Sequence, residues 1–165
     1  MDFTIRQMID DDWTVVVDIY KQGMKTKNAT FETVVPTFEV WDKGHLKVCR
    51  LIAEADNIIF GWLALTPVSN RFVYRGVAEV SVYLDERYRG KKIGEALLNR
   101  AIEESEKNGI WTLQSTIFDT NEISIALHKK CGFRIVGVRE KQGCDGDGIW
   151  RNVVLMERRS KTVGV

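Results

Sequence analysis

The chain has 165 residues, of which 44% are hydrophobic and 28% are charged, a composition that fits a globular protein and excludes a disordered or collagen-like chain. It carries 24 Lys and Arg against 23 Asp and Glu, a formal net charge of +1. This balance gives no electrostatic reason to expect nucleic acid or an anionic membrane as a partner. The N-terminal residues lack the basic region and apolar run of a secretory signal, so we expect a cytoplasmic protein without a membrane-spanning segment.

The cysteines and histidines are few and widely spaced. Cys49, Cys131 and Cys144 fit neither a disulfide framework nor a Cys-x-x-Cys metal site. His45 and His128 lie far apart, and no cluster of His, Cys and carboxylate residues surrounds either of them. We therefore expect no bound metal.

No repeat, linker or low-complexity tract divides the chain, so residues 1–165 are expected to form a single domain. Hydrophobic periodicity and turn residues predict the elements in chain order. They are a strand at 3–8, a helix at 13–24 preceded by three aspartates, a helix at 38–47, strands at 49–55, 58–66 and 77–84, a helix at 90–108, a strand at 111–118, a helix at 121–130, and strands at 133–138 and 149–156. This mixed order predicts an α/β sheet with helices on its faces.

The strand at 77–84 has apolar residues on both faces. Because side chains alternate along a strand, one face carries Ala78, Val80, Val82 and Leu84, and the other carries Val77, Glu79, Ser81 and Tyr83. This pattern predicts an interior strand. Burial there would raise the pKa of the Glu79 carboxyl group toward the range of a general base. The alternative is a structural Glu79, at a solvated strand end or paired with Arg75.

A helix with basic flanks follows this strand. Gly90 and Gly94 bracket its first predicted turn, where backbone N–H groups lack partners within the helix and the helix dipole attracts anions. Positive charge around the turn comes from Arg87, Arg89, Lys91 and Lys92. The pattern favours a phosphate or pyrophosphate site, and the alternative is a basic helix with a solvated face.

Residues 89–94, Arg-Gly-Lys-Lys-Ile-Gly, resemble the acetyl-CoA signature of the GNAT superfamily of N-acetyltransferases, Arg/Gln-x-x-Gly-x-Gly/Ala. One position departs from it, because Lys92 stands where the signature has its middle glycine. The resemblance implies that acetyl-CoA is the co-substrate, that this turn holds its pyrophosphate, and that the preceding strand hydrogen-bonds its pantetheine arm. The implied cofactor-binding residues are Val82, Tyr83, Leu84, Arg89, Gly90, Lys91, Lys92, Ile93, Gly94, Glu95 and Asn121.

A second segment, residues 121–133, resembles the family pattern Asn…Tyr-x-x-x-Gly-Phe and ends in Gly132 and Phe133. In the family the asparagine contacts the cofactor and the tyrosine protonates the departing CoA thiolate, which the resemblance carries to Asn121 and His128. Imidazolium can donate a proton near neutral pH. The alternative is a structural histidine beside an apolar stripe. The implied fold is the GNAT fold, a mixed, mostly antiparallel sheet of about seven strands flanked by about four helices.

The resemblance covers nearly the whole chain and is closest to the phosphinothricin and methionine sulfoximine acetyltransferase-like branch. The segments that carry it are residues 29–33, 74–83 and 141–150, together with His128 and Gly132-Phe133. In that branch the position of Glu79 is the proposed base, and the loop before it binds an acidic amino-acid substrate, a task that suits the planar fork of arginine. The implied substrate-binding residues are Phe31, Glu32, Arg71, Tyr74, Arg75, Glu79 and Ser81. The branch usually forms homodimers, so we expect a homodimer.

The resulting hypothesis is direct transfer of an acetyl group to a small amine in a ternary complex. Glu79 would take a proton from the substrate ammonium, a backbone N–H of residues 80–84 would polarise the thioester carbonyl, and His128 would protonate the CoA sulfur. Two alternatives stay open. One is a related enzyme that acetylates another amino acid, a polyamine or a protein N-terminus, and the other is a CoA-binding module without turnover. A polyamine would favour an acidic pocket, whereas Arg71 and Arg75 favour an anionic substrate.

Overall fold

A computed structural model describes all residues from 1 to 165. The elements are β1 (Thr4–Gln7), α1 (Trp13–Lys25), α2 (Phe38–Gly44), β2 (Leu51–Ala55), β3 (Ile58–Pro67), β4 (Val77–Leu84), α3 (Ile93–Lys107), β5 (Thr112–Phe118), α4 (Glu122–Lys130), β6 (Arg134–Cys144) and β7 (Trp150–Arg159). Short 3₁₀ turns lie at Asp10–Asp12, Phe72–Tyr74 and Glu86–Tyr88. No helix combines the length and the apolar character needed to span a membrane.

The strands form one seven-stranded sheet in the order β1-β2-β3-β4-β5-β7-β6. Every neighbouring pair is antiparallel except β4 and β5, which run parallel. The predicted mixed, mostly antiparallel sheet is therefore confirmed. The parallel pairing joins only Val77, Ala78 and Glu79 to Thr112, Leu113 and Gln114, although both strands continue beyond it. The two strands diverge there, so the β5-facing backbone groups of residues 80–84 have no partner strand.

The sheet has a packed core on each face. The larger core lies under α3, where Leu97 and Leu98 pack with Val80 and Leu63 of the sheet. The smaller core lies under α1 and α2 and contains Val16, Ile19, Trp41, Ile52 and Trp62, with Tyr83 packed against it. The alternation predicted for β4 therefore divides its side chains between the two cores, and the prediction of an interior strand is confirmed.

Several element ends differ from their predictions for local reasons. Helix α2 ends at Gly44 rather than at 47, because His45 is extended and its Nδ1 donates to the Trp41 carbonyl oxygen at 2.7 Å. Helix α3 begins at Ile93 rather than at 90, because the backbone at Gly90 and Lys92 is left-handed. The final hairpin extends to Cys144 and Arg159, since pairing continues on both sides of the predicted strands.

The three aspartates before α1 do not cap it through their side chains. Instead, Asp12 is buried, and its carboxylate accepts two hydrogen bonds from Arg6, at 2.7 and 2.8 Å. Desolvation alone would raise the pKa of Asp12, and the Arg6 guanidinium and the Ile9 backbone N–H together hold that pKa below its ordinary value. This pair fixes the start of α1 to β1.

Candidate active site

The turn between β4 and α3 has the backbone of an anion-binding loop. Gly90 has φ of +74° and Lys92 has φ of +63° and ψ of +12°, both in the left-handed region. No side chain caps the first turn of α3, so its N–H groups remain available to a ligand. A Cβ built at Gly94 would lie 3.1 Å from Leu127 Cδ2 and 3.5 Å from Leu84 Cδ1. Glycine at 94 therefore lets α4 and the end of β4 approach this turn closely.

Lys92 is the position that departs from the family signature, and it keeps the conformation that suits a glycine. Its side chain is exposed, so the backbone accommodates it without a clash in the core. A left-handed conformation costs a residue with a side chain roughly 1–2 kcal/mol. The turn therefore retains a glycine-like shape with a lysine at its centre.

The predicted cations around the turn are only partly free. Arg87 is bound to Asp85, with Nη2 donating to Oδ2 at 2.8 Å, and this hydrogen bond is the main reason that the pKa of Asp85 falls to about 2. Lys91 Nζ lies 5.0 Å from the centroid of the Tyr88 ring. Arg89 and Lys92 are exposed and form no salt bridge, which leaves them to meet an anion at the N-terminus of α3.

Two of the predicted cofactor residues on α3 have side chains that are engaged within the protein. Ile93 is fully buried in the larger core, so it contributes only its backbone N–H. The Glu95 carboxylate is paired with Lys130 Nζ at 2.7 Å. This ion pair ties α3 to α4 beside the turn.

The end of β4 presents backbone, rather than side chains, to the space between β4 and β5. Val82 and Leu84 pack against the larger core, whereas the Tyr83 ring lies on the opposite face, stacked on Trp62 with centroids 5.0 Å apart. The Tyr83 hydroxyl donates to the Ala29 carbonyl at 3.5 Å, and burial raises the pKa of this phenol. The predicted cofactor role of Tyr83 is thus available only to its backbone.

Glu79 is half-buried, and two polar side chains of β5 hold it. Thr116 Oγ1 donates to Glu79 Oε1 at 2.5 Å, and Gln114 Nε2 donates to Oε2 at 3.3 Å. The alternative pairing with Arg75 is wrong, because the Arg75 guanidinium lies 4.1 Å from the Phe72 ring centroid and donates to the Phe72 carbonyl. The sequence interpretation missed Gln114 and Thr116. Their alternation on β5 was readable, but their contact with Glu79 depends on the parallel register of β4 and β5.

His128 lies on α4 and is 1% exposed. Its Nδ1 donates to the Ser124 carbonyl oxygen at 2.7 Å, so in the neutral ring Nε2 carries the lone pair; Nε2 is buried and has no partner. Burial lowers the pKa of this imidazole, with the Ser124 hydrogen bond opposing the shift. These surroundings favour the neutral ring over the imidazolium expected from the sequence.

Asn121 caps α4, and both ends of its side chain are engaged within the protein. Its Oδ1 accepts from the Ser124 backbone N–H at 3.2 Å, and its Nδ2 donates to the Asn28 carbonyl oxygen at 3.0 Å. Asn121 therefore joins α4 to the segment between α1 and α2, called the α1–α2 loop (residues 26–37) from here on. Asn121 thus has a structural role, and its contact with the cofactor stays a prediction.

A cavity of about 380 Å³ lies beside β4, on the face that carries Glu79, Ser81 and Tyr83. Its walls are aromatic and polar, and they include Tyr20, Thr30, Glu32, Trp41, His45, Trp62, Ser81 and Tyr83. Glu79 lies two residues before Ser81 on the same face of β4. No Lys or Arg lines this cavity, and the buried Trp62 Nε1 has no hydrogen-bond partner. We call it the aromatic cavity.

A second cavity, of about 450 Å³, lies between α1, the α1–α2 loop and the turn that joins β6 to β7. Phe31 lines this cavity, and its ring meets the Phe118 ring edge-on with centroids 4.6 Å apart. Thr30 and Glu32 line both cavities, so the α1–α2 loop is the wall between them. Of the predicted substrate residues, Ser81 lines the aromatic cavity, Phe31 lines the second cavity, and Glu32 lines both.

The loop before β4 does not reach either cavity. Arg71, Tyr74 and Arg75 are exposed around the 3₁₀ turn, and Arg71 lies 5.3 Å from the centroid of the Tyr74 ring. None of the three lines the aromatic cavity. The structure thus separates the predicted arginines from Glu32 and Ser81 within one chain. No group of three or more His, Cys, Asp or Glu side chains is arranged to hold a metal ion.

Comparison with known proteins agrees with this geometry. Residues 6–133 match the family described as Acetyltransferase (GNAT) family. A phosphinothricin N-acetyltransferase of Alcaligenes faecalis is 33% identical over 165 residues, covering 94% of this chain and 81% of the relative. An L-methionine sulfoximine/L-methionine sulfone acetyltransferase of Pseudomonas aeruginosa is 34% identical over 84 residues, or 51% of this chain and 48% of the relative.

Solved structures give the same result for the fold. A GNAT superfamily phosphinothricin acetyltransferase from Sinorhizobium meliloti, in complex with AcCoA, superposes with a TM-score of 0.86 at 25% identity, covering 99% of this chain and 91% of the other. A ribosomal-protein-alanine N-acetyltransferase from Brucella melitensis has a TM-score of 0.86 at 26% identity, covering 95% and 99% of the two chains. Enzymes named for different amine substrates therefore share this architecture.

Proposed function

The chain belongs to the acetyltransferase (GNAT) family and is an acetyl-CoA-dependent acetyltransferase, and we propose that it acetylates the primary amine of a small amino-acid-like substrate. The candidates are phosphinothricin, methionine sulfoximine and methionine sulfone, which are the substrates in the names of its relatives. The observation that carries the proposal is Glu79, a half-buried carboxylate held by Thr116 and Gln114 on the face of β4 that also lines the aromatic cavity.

The acetyl donor fits the cleft where β4 and β5 diverge. The uncapped N-terminus of α3, the left-handed turn at Gly90 and Lys92, and the free charge of Arg89 suit a pyrophosphate. Backbone groups of residues 80–84 that lack a partner strand suit an amide-bearing arm such as pantetheine. When bound, acetyl-CoA supplies the acetyl group as a thioester.

Direct transfer then requires a base on the amine side of β4. Glu79 accepts a proton from the substrate ammonium, directly or through a water, and the Thr116 and Gln114 donors keep the carboxylate pointing along its strand face. A backbone N–H of residues 80–84 polarises the reacting carbonyl. Burial raises the pKa of the Cys131 thiol within the larger core, which disfavours a covalent route through that residue.

His128 is assigned the task of protonating the departing thiolate, and this task requires that its ring be protonated. Neutral His128 has no proton on Nε2, so the donor must be the imidazolium, and burial disfavours that form. Thiolate charge beside the ring would favour the imidazolium in turn. A His128→Phe variant tests this role, because it should slow turnover most at low pH, where the wild-type imidazolium is most abundant, and the difference from wild type should shrink as pH rises.

Thiol release from acetyl-CoA in the presence of different amines tests the substrate assignment. Phosphinothricin, methionine sulfoximine and methionine sulfone should be turned over with higher kcat/KM than spermidine or a peptide N-terminus. The aromatic cavity contains Glu32 and no Lys or Arg, which favours a second candidate, a cationic amine. Preference for spermidine would support that candidate, and release with no amine despite acetyl-CoA binding would favour a module without turnover.

The remaining proposals concern the whole molecule. We infer a single catalytic domain, because one sheet and its larger core join residues from Cys49 to Met156. We also infer a cytoplasmic homodimer. Strand β6 is an edge strand with exposed apolar side chains at Ile135, Val136 and Val138, which would be covered by a second copy. Light scattering after gel filtration tests the dimer, and a monomer at micromolar concentration would contradict it.

A further inference from the structure

Arg151, the second residue of β7, is the centre of a hydrogen-bond network that joins three loops. Its side chain is 13% exposed. Nη1 donates to the Lys27 carbonyl oxygen at 2.8 Å and to Asp145 Oδ2 at 3.2 Å. Nη2 donates to Thr120 Oγ1 at 3.0 Å and to Asn28 Oδ1 at 3.3 Å. One guanidinium therefore contacts the α1–α2 loop, the segment before α4 and the β6–β7 turn.

The Arg151 guanidinium also lies over an aromatic ring that supports the α1–α2 loop. Its Cζ is 4.1 Å from the Phe118 ring centroid, and the same Phe118 ring meets Phe31 of the loop edge-on. A guanidinium over an aromatic face is a favourable contact that lysine reproduces less well, because it also depends on the planar shape. Arg151 thus holds the loop through both its backbone and the Phe31 contact.

The hairpin that carries Arg151 closes directly on the loop. A Cβ built at Gly143 would lie 2.9 Å from Phe31 Cζ, and one at Gly146 would lie 2.8 Å from Thr33 Cγ2. Lys27 Nζ also pairs with Asp147 at 2.6 Å, but this pair is exposed and contributes little. The close approach and the Arg151 network therefore fix the same segment from two sides.

We propose that Arg151 is a positioning residue for the amine substrate. It fixes the α1–α2 loop so that Thr30 and Glu32, which line both cavities, form a rigid wall of the aromatic cavity. This inference rests on the proposed function, because it takes the aromatic cavity as the amine site. It assigns Arg151 no contact with the reacting atoms, and its effect is on the binding of the amine rather than of acetyl-CoA.

The test compares Arg151→Gln and Arg151→Lys with a matched control on the same strand. Arg159 lies eight residues further along β7, and its guanidinium donates to the backbone carbonyls of Ser160, Val163 and Gly164 in the C-terminal tail, not to the α1–α2 loop. Arg151→Gln should raise the KM for the amine about tenfold or more, since small misplacements of positioning groups have large effects. The KM for acetyl-CoA should change less than about twofold. Arg151→Lys should recover part of the loss, and Arg159→Gln should leave the amine KM unchanged.

A readout without substrate separates this inference from the proposed function. Amide hydrogen exchange of residues 27–32 should accelerate in Arg151→Gln and not in Arg159→Gln, whichever amine the enzyme uses. If the wild-type enzyme acetylates no amine of the panel, the proposed function fails and exchange alone decides the role of Arg151. Unchanged exchange in that segment, equal increases in both KM values, or the same amine KM in both glutamine variants would each overturn the proposal.

Discussion

Replacement of Glu79 by glutamine gives the sharpest test of the proposed chemistry. The substitution keeps the side-chain volume and removes the charge and the basic oxygen. Thr116 can still donate a hydrogen bond to the oxygen of the new amide. The new NH₂ group would face Gln114 Nε2, which in the wild type donates to Glu79 Oε2, so that two donors would oppose each other. The folded state therefore loses about one hydrogen bond, or about 1 kcal/mol of stability. A general base contributes about a hundredfold to ten-thousandfold in rate, or about 3 to 5 kcal/mol of the barrier.

Rate and stability are thus separable in the Glu79→Gln variant. The assay is kcat from thiol release at saturating amine and acetyl-CoA, measured across about pH 6 to pH 9, with thermal unfolding in parallel. Glu106→Gln is the control, because Glu106 lies on α3, over the opposite face of the sheet from the aromatic cavity, and its carboxylate accepts hydrogen bonds from Arg158 at 3.0 Å and from Ser160 at 2.8 Å. A Glu79→Gln enzyme with wild-type kcat at every pH would refute the base assignment. So would an equal loss in Glu106→Gln.

Three further predictions concern the cofactor turn and α4. Gly94→Ala should raise the KM for acetyl-CoA, because the added Cβ would lie 3.1 Å from Leu127 Cδ2. Gly44→Ala is the control and should leave this KM unchanged, because its added Cβ would have no atom within 4 Å. Equal KM values in the two variants would contradict the prediction. Lys92→Gly should be more stable than Lys92→Ala by about 1 kcal/mol in urea unfolding, since the backbone at residue 92 is left-handed. In an ordinary helical position the alanine variant would be the more stable of the two, and that result would disprove the prediction. Burial lowers the pKa of His128 below 6.5, so the unfolded chain takes up this proton first as pH falls. The free energy of unfolding should then decrease below about pH 6.5, by at most about 1.4 kcal/mol per pH unit for this group. Urea unfolding between about pH 7 and pH 5 measures this slope, and the slope should be flatter in His128→Asn. An unchanged slope in that variant would contradict the prediction.

The parts of the fold that the sequence predicts well are those set by local periodicity. The bounds of β4 agree with the prediction, because alternation along Val77–Leu84 is uninterrupted and the flanking residues leave the sheet. Helix α1 agrees within one residue. The glycines before α3 were predicted to bracket its first turn, but Gly90 lies in the loop before the helix, which starts later than predicted because Gly90 and Lys92 are left-handed, a conformation that a non-glycine residue rarely adopts.

The rest of the site depends on contacts between distant segments. Thr116 meets Glu79 only because β4 and β5 pair in parallel, and sequence periodicity gives the side-chain face but not the register. Arg151 contacts Lys27, which is 124 positions away in the chain, so no local pattern marks it. The substrate-binding role of Arg71 and Arg75 stays a prediction: their residue type suits an anionic substrate, and in the structure of one chain they line neither cavity.

In the proposed reaction, β4 would bind the acetyl donor through its backbone and the amine through its side chains, an arrangement that favours direct transfer. The divergence from β5 after Glu79 exposes backbone groups of residues 80–84 at the strand edge, where the arm of the acetyl donor would bind. Alternation sends the Glu79, Ser81 and Tyr83 side chains to the α1 face, where the amine would bind. The backbone edge and the side-chain face of β4 adjoin each other along the strand. A thioester bound at the edge and an amine bound at the face would therefore lie next to each other between Glu79 and Ser81. Cys131 lies in the core on the other face of the sheet, and a covalent relay through it would have to cross the strand.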